Sequence, residues 1–195
     1  MTRIVVLASG SGTNLQALLD AERVHRIGSG HIVAVISDRP DSLALHRAAT
    51  NGTPAYSLPP KSDESRRDYD TRLSTLLDGV GAELVVLAGW MRILTDQVVS
   101  SRRVINLHPA LPGELPGTRA IQRAFIEFET GVRTRTGVMV HDVPDEGVDS
   151  GPVLATEEVA INPGDRLIDL EQRIHAVEHR LLVDTVASLC TPTNT

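Results

Sequence analysis

Ile4-Val5-Val6-Leu7-Ala8-Ser9-Gly10-Ser11-Gly12-Thr13-Asn14-Leu15 is the stretch that decides the fold. Its first five residues form a short, unbroken apolar run, which predicts a strand buried on both faces. The run opens into a glycine-rich turn, and Leu15, Leu18 and Leu19 follow at helical spacing. A strand, a glycine-rich turn and a helix start make a natural anion site, because free backbone N–H groups and the helix dipole both favour a phosphate. Glycine there permits positive φ and lets a ligand approach the backbone. A tight turn with Thr13 or Asn14 as N-cap is the plainer reading, and the two are compatible. The dinucleotide fingerprint fits poorly: counted from Gly10, Gly12 falls correctly, but the third glycine position holds Leu15.

The same alternation continues outward. Strands are expected at Ile32–Ser37, Ala55–Leu58, Leu84–Ala88, Val104–His108 and Gly137–Val143. Helices are expected at Leu43–Asn51, closed by Gly52, then over Tyr69, Leu73, Leu76 and Leu77 up to Gly79, and at Arg119–Glu129. The charged crowd from Lys61 to Asp70 reads as a solvated face. Val153–Val159 alternates enough to be a strand pairing back antiparallel, and Asp165 looks like the N-cap of a long last helix. Strands alternating with helices imply a single-domain, Rossmann-like, doubly wound sheet, mostly parallel with an antiparallel C-terminal strand and helices on both faces. Residues 1–190 form that domain and 191–195 a frayed tail.

At 195 residues, 41% hydrophobic and 23% charged, the chain has the composition of an ordinary globular domain with a substantial core. A formal charge of −6 argues against a nucleic-acid surface. The lone Cys190 allows no internal disulfide and no cysteine metal cluster, which suits a reducing cytoplasm. No signal-peptide core and no bilayer-length apolar run is present, so neither secretion nor a membrane span is expected.

Two further stretches carry chemistry. Val104-Ile105-Asn106-Leu107-His108-Pro109 ends a strand at a proline, and strand alternation sends the amide of Asn106 and the imidazole of His108 to the same side. An amide able to donate to an oxyanion, beside an imidazole able to carry a proton, suits acyl-type transfer. The same two residues also suit a turn cap and a satisfied structural histidine. Gly89-Trp90-Met91-Arg92-Ile93-Leu94 is apolar and follows a strand, so it can line a pocket for a flat ring or pack in the core.

Ser9-Gly10-Ser11-Gly12-Thr13-Asn14-Leu15-Gln16-Ala17, Ala88-Gly89-Trp90-Met91-Arg92-Ile93-Leu94, Ile105-Asn106-Leu107-His108-Pro109 and Asp149-Ser150-Gly151-Pro152 stand in the order found in the folate-dependent formyltransferases of glycinamide ribonucleotide, which this chain resembles from Ile4 to its last helix. The resemblance implies transfer of a formyl group from the co-substrate 10-formyltetrahydrofolate to the amine of glycinamide ribonucleotide, in purine biosynthesis, without a metal. It implies small-molecule substrates, no nucleic-acid or membrane partner, a cytoplasmic setting, and leaves room for a homodimer. By the same resemblance Asn106, His108 and Asp149 are catalytic, with the oxyanion held by Asn106 and a protonated His108. Gly12, Thr13 and Asn14 hold the substrate phosphate, and Glu178 contacts the ribonucleotide. Met91, Arg92, Ile93 and Leu94 lie along the folate, and Arg66, with Arg67 beside it, meets the folate too. Departures from the family are Pro109–Gly117, which is more similar to the fungal branch, and a His141–Asp149 loop one residue longer than usual. A methionyl-tRNA formyltransferase would want a second, basic domain, and a formyltetrahydrofolate hydrolase an N-terminal regulatory one. A dinucleotide oxidoreductase meets Leu15, and a binding module would hold the phosphate without transfer.

Overall fold

The computed structural model describes residues 1–191. In chain order the elements are β1 (Thr2–Leu7), α1 (Thr13–Arg23), β2 (Gly30–Ser37), α2 (Leu43–Thr50), β3 (Ala55–Ser57), α3 (Arg66–Gly79) and β4 (Leu84–Leu87). Then follow α4 (Asp96–Val99), β5 (Arg103–His108), α5 (Ala120–Glu129), β6 (Arg135–Asp142), β7 (Val153–Ala160) and α6 (Leu167–Leu189). The strands form one seven-stranded sheet in the order β3-β2-β1-β4-β5-β6-β7. The chain runs outward from β1 to β3, then returns to β4 on the other side of β1. The crevice beyond the carboxyl ends of β1 and β4 is therefore the topological switch point, where open α/β sheets bind ligands.

Alternation along the buried strands divides the core between two faces. Ile4, Val6, Val86, Ile105 and Val140 meet α1, α2, α5 and α6 on one face. Val5, Leu7, Val85, Leu87 and Val104 meet Tyr69, Leu73 and Leu77 of α3 and Val98 of α4 on the other. The doubly wound α/β architecture is thus as expected.

Four details differ from the expectations. β7 pairs back antiparallel on β6 as expected, but β6 also pairs antiparallel with β5, so β6, an interior strand, is the one that runs against the others. The intervening α5 reads in sequence as a parallel crossover, but after it the chain re-enters the sheet in the reverse direction. Helix α1 is capped by Gly12 in the left-handed region (φ 69°), not by Thr13 or Asn14; a Cβ on Gly12 would stand 2.8 Å from Ala44 Cα. Helix α6 starts after Arg166, whose backbone N–H donates to Asp169 Oδ2 at 2.9 Å. Asp165 lies before it and pairs with Arg173 at 2.8 Å. The short α4 had no signal in the apolar pattern. Of the expected tail, Thr191 bonds back to α6, its N–H donating to Ser188 O at 3.4 Å, and 192–195 lie outside the described residues.

Candidate active site

β5 and β6 bring the chemistry together because their register sets Asn106 opposite His141 and His108 opposite Met139. Facing the same side, these polar groups meet Asp149, which the 143–152 loop returns to the sheet. Asn106 Nδ2 donates to Asp149 Oδ1 at 3.0 Å and lies 3.2 Å from His141 Nε2. His108 Nδ1 lies 3.3 Å from Asp149 Oδ2, and its Nε2 is 3.0 Å from Leu115 O. The backbone N–H of Gly117 donates to Asp149 Oδ2 at 2.7 Å. His108 and His141 are buried, so these bonds form in a low-dielectric pocket.

Leu115 and Asp149, the two residues that address His108, both hold left-handed backbone, with φ of 47° and 51°. Such conformations are costly for residues other than glycine and persist where surroundings fix them. Here Arg123 does so on one side, its Nη2 donating to Leu115 O at 2.7 Å and Pro116 O at 2.6 Å.

The electrostatics pull in opposite directions. Burial lowers the His108 pKa below its ordinary value and outweighs Asp149 and the Leu115 carbonyl, which raise it. Burial thus opposes the imidazolium that the resemblance implies, and Asp149 and the Leu115 carbonyl favour it. Both ring nitrogens face acceptors, so the geometry accommodates a proton on each. Burial pushes the Asp149 carboxyl up, yet the bonds from His141 and Gly117 and the charge of His108 together carry it below the usual carboxylate range.

The cluster opens into a cleft of about 730 Å³ at the switch point. Gly12, Thr13 and Asn14 line one side of it, with Glu178 of α6 behind them. Asn14 Nδ2 donates to Glu178 Oε2 at 3.3 Å, tying the glycine-rich turn to the last helix. His175 Nδ1 donates to the same oxygen at 2.7 Å, and this bond raises the His175 pKa. Met91–Leu94 form another wall. Both readings of that stretch hold in part: Trp90 and Leu94 are core residues, while Met91 and Ile93 are 56% and 45% exposed. Among the described residues no hydrogen bond engages the backbone N–H of Arg92, Ile93 or Leu94, so this wall offers free donors.

One expected residue, Arg66, stands off the cleft lining, and Arg92 lines the cleft with its side chain turned aside. The Arg92 guanidinium lies over the ring of Tyr69, 4.1 Å from its centroid, on the α3 side of the wall. Arg66, at the start of α3, is not a wall of the cleft and pairs with Glu146 of the 143–152 loop; Arg67 pairs with Asp96 at 3.4 Å. His141 was missed by the sequence reading because a histidine in an apolar strand reads as core. Its signal was phase: Met139 and His141 share the face opposite Val138 and Val140. Among the described residues no group of three or more His, Cys, Asp or Glu side chains is placed to hold a metal ion.

Fold, cleft and a polar cluster at the end of β5 define a group-transfer enzyme of the doubly wound class. A family model described as formyl transferase matches residues 2–186, and the chain belongs to that family. Within it, the chain is 40% identical over 201 residues to the phosphoribosylglycinamide formyltransferase of Schizosaccharomyces pombe, covering 96% of this chain and 97% of that one. It is 38% identical over 180 residues to the Escherichia coli protein of the same name, covering 91% and 82%. The crystal structure of glycinamide ribonucleotide transformylase 1 from Symbiobacterium toebii superposes with a TM-score of 0.90 at 39% identity, over 97% of this chain and 88% of that one.

Proposed function

We propose that this chain transfers the formyl group of 10-formyltetrahydrofolate to the amine of 5'-phosphoribosylglycinamide, giving formylglycinamide ribonucleotide and tetrahydrofolate in purine biosynthesis. The observation that carries this reading is the hydrogen-bonded cluster of Asn106, His108 and Asp149, opening into the same cleft as the Gly12 turn, in a formyl transferase chain. The substrate phosphate sits on Gly12–Asn14, where backbone N–H groups and the positive end of α1 favour an anion. Glu178 contacts the ribonucleotide. The folate ring lies beside Met91–Leu94, against the free N–H groups, and Arg66 exchanges Glu146 for the folate's carboxylate.

The substrate amine attacks the formyl carbon, forming a C–N bond and placing negative charge on the formyl oxygen. Asn106 Nδ2 turns from Asp149 to that oxygen, a donor worth about 3–4 kcal/mol when preorganised. Protonated His108 donates to the same oxygen, its positive charge balanced by Asp149. Asp149 accepts the proton leaving the attacking nitrogen and passes it, directly or through water, to the folate nitrogen as the old C–N bond breaks. The substrate amine is the nucleophile, so no covalent enzyme intermediate forms. A cytoplasmic setting fits the single, free and buried Cys190.

The test is a formyl-transfer assay with purified protein. His108→Ala and Asp149→Asn are each expected to lower kcat by roughly 10²–10⁴-fold. Wild-type protein that transfers no formyl group to glycinamide ribonucleotide overturns the assignment. Near wild-type turnover in both variants overturns the mechanism.

A further inference from the structure

The wall formed by Met91–Leu94 has no regular secondary structure, so something must hold it. It is pinned at its near end by Ser9, whose Oγ accepts from Met91 N at 3.1 Å and whose N–H donates to Gly89 O at 3.0 Å. At its far end Thr95 N donates to Asp70 Oδ2 at 2.5 Å. Asp70 is 1% exposed, a carboxylate placed in the interior of α3's packing face, where an ionised group is costly without compensation. Burial pushes the Asp70 carboxyl up; its hydrogen bonding with Thr95 is the larger opposing influence, and the charge of Arg92, whose guanidinium stacks on Tyr69, the neighbour of Asp70 on α3, is a smaller one. Tyr69 is itself fixed, fully buried and with its hydroxyl donating to Leu58 O at 2.8 Å.

We infer that Asp70 is a positioning residue for the folate half of the cleft: by holding Thr95 N, beside Tyr69 on which Arg92 stacks, it fixes the backbone of Met91–Leu94 so that Met91, Ile93 and the free N–H groups face the ligand. This rests on the folate reading given above. The arrangement uses the Arg92 side chain as an inward anchor and leaves its backbone for recognition. Asp70 touches no reacting atom. Its loss therefore weakens folate binding without altering the phosphate turn or the Asn106, His108 and Asp149 cluster.

Trp90 is the chain's single tryptophan and lies at the start of this wall, so its fluorescence reports folate at the wall directly. Asp70→Asn keeps the volume and an acceptor for Thr95 N but removes the charge that strengthens that bond. Titration with folic acid, read by quenching of Trp90, is expected to show a Kd raised about 10-fold. The Kd for glycinamide ribonucleotide, by calorimetry, is expected to stay within about twofold. In steady state the folate KM rises while kcat holds. An unchanged folic acid Kd, or equal weakening of both ligands, overturns the inference. Should Asp70→Asn fail to fold, Arg92→Lys keeps the charge but not the planar stacking, and the same split is expected, with an unchanged folic acid Kd again overturning it. Wild-type protein whose Trp90 emission ignores folic acid overturns the folate reading itself, a result distinct from a wild type that binds and a variant that binds equally well.

Discussion

His108 stands between two acceptors in surroundings that resist its charge, and that conflict has a measurable consequence. Its pKa in the folded chain is below the ordinary 6.5, with burial as the main cause. The unfolded chain therefore holds more protons near pH 6, and stability is full above pH 6.5 and lost as pH falls through the folded value. Asp149 acts in a lower window: its folded pKa is below 3.8, so its contribution is present above that value and lost as pH falls through the folded one. The sign is the same and the windows are separate. His108→Gln is expected to flatten the pH dependence of unfolding free energy just below pH 6.5, where one proton's linkage contributes at most about 1.4 kcal/mol per pH unit. Urea unfolding across pH 4.5–8 reads this, and a slope equal to the wild type's would show that His108 is not the group responsible.

At the scale of elements, the parallel half of the sheet was legible because β1, β2 and β4 are built on continuous apolar runs followed by glycine or proline, and the long helices carry apolar stripes. The direction of β6 was not, since a helix between two strands reads the same whichever way the second strand enters. The site was legible where residues two apart share a face, as Asn106 and His108 do. Contacts spanning the chain, such as Arg66 with Glu146 or Asn14 with Glu178, leave no local mark. Gly137 on β6 shows what such contacts require. A Cβ there would stand 2.3 Å from Leu111 Cδ2 and 2.5 Å from Glu157 O, so its absence lets the 109–119 loop lie against β6 and β7. That loop supplies the Leu115 carbonyl to His108. Gly137→Ala is expected to cost about 1–3 kcal/mol through overpacking. A fall in Tm of roughly 2–4 °C for each kcal/mol should accompany a lower kcat. A lower Tm with unchanged kcat would separate the loop's packing from the chemistry.

At the scale of the molecule, the two apolar layers share one sheet, and this decides how the chain loses structure. Val5 and Leu7 face α3, while Ile4 and Val6, their neighbours in β1, face α1 and α6. A defect on the α3 face reaches the opposite layer through strands that belong to both. The cleft lies where β1 and β4 end, so its walls depend on both layers as well: Trp90 and Leu94 pack with α3, and Glu178 belongs to α6. Leu73, fully buried on α3, tests this coupling. Leu73→Ala is expected to cost roughly 2–5 kcal/mol by leaving a cavity. If the layers unfold together, amide hydrogen exchange in the centre of α6, around Ile174–Val186, loses protection by the same free energy as α3, although neither residue touches Leu73's layer. Exchange that quickens in α3 while α6 keeps its wild-type protection would show two independent units, and the folate wall would then open without disturbing the phosphate turn.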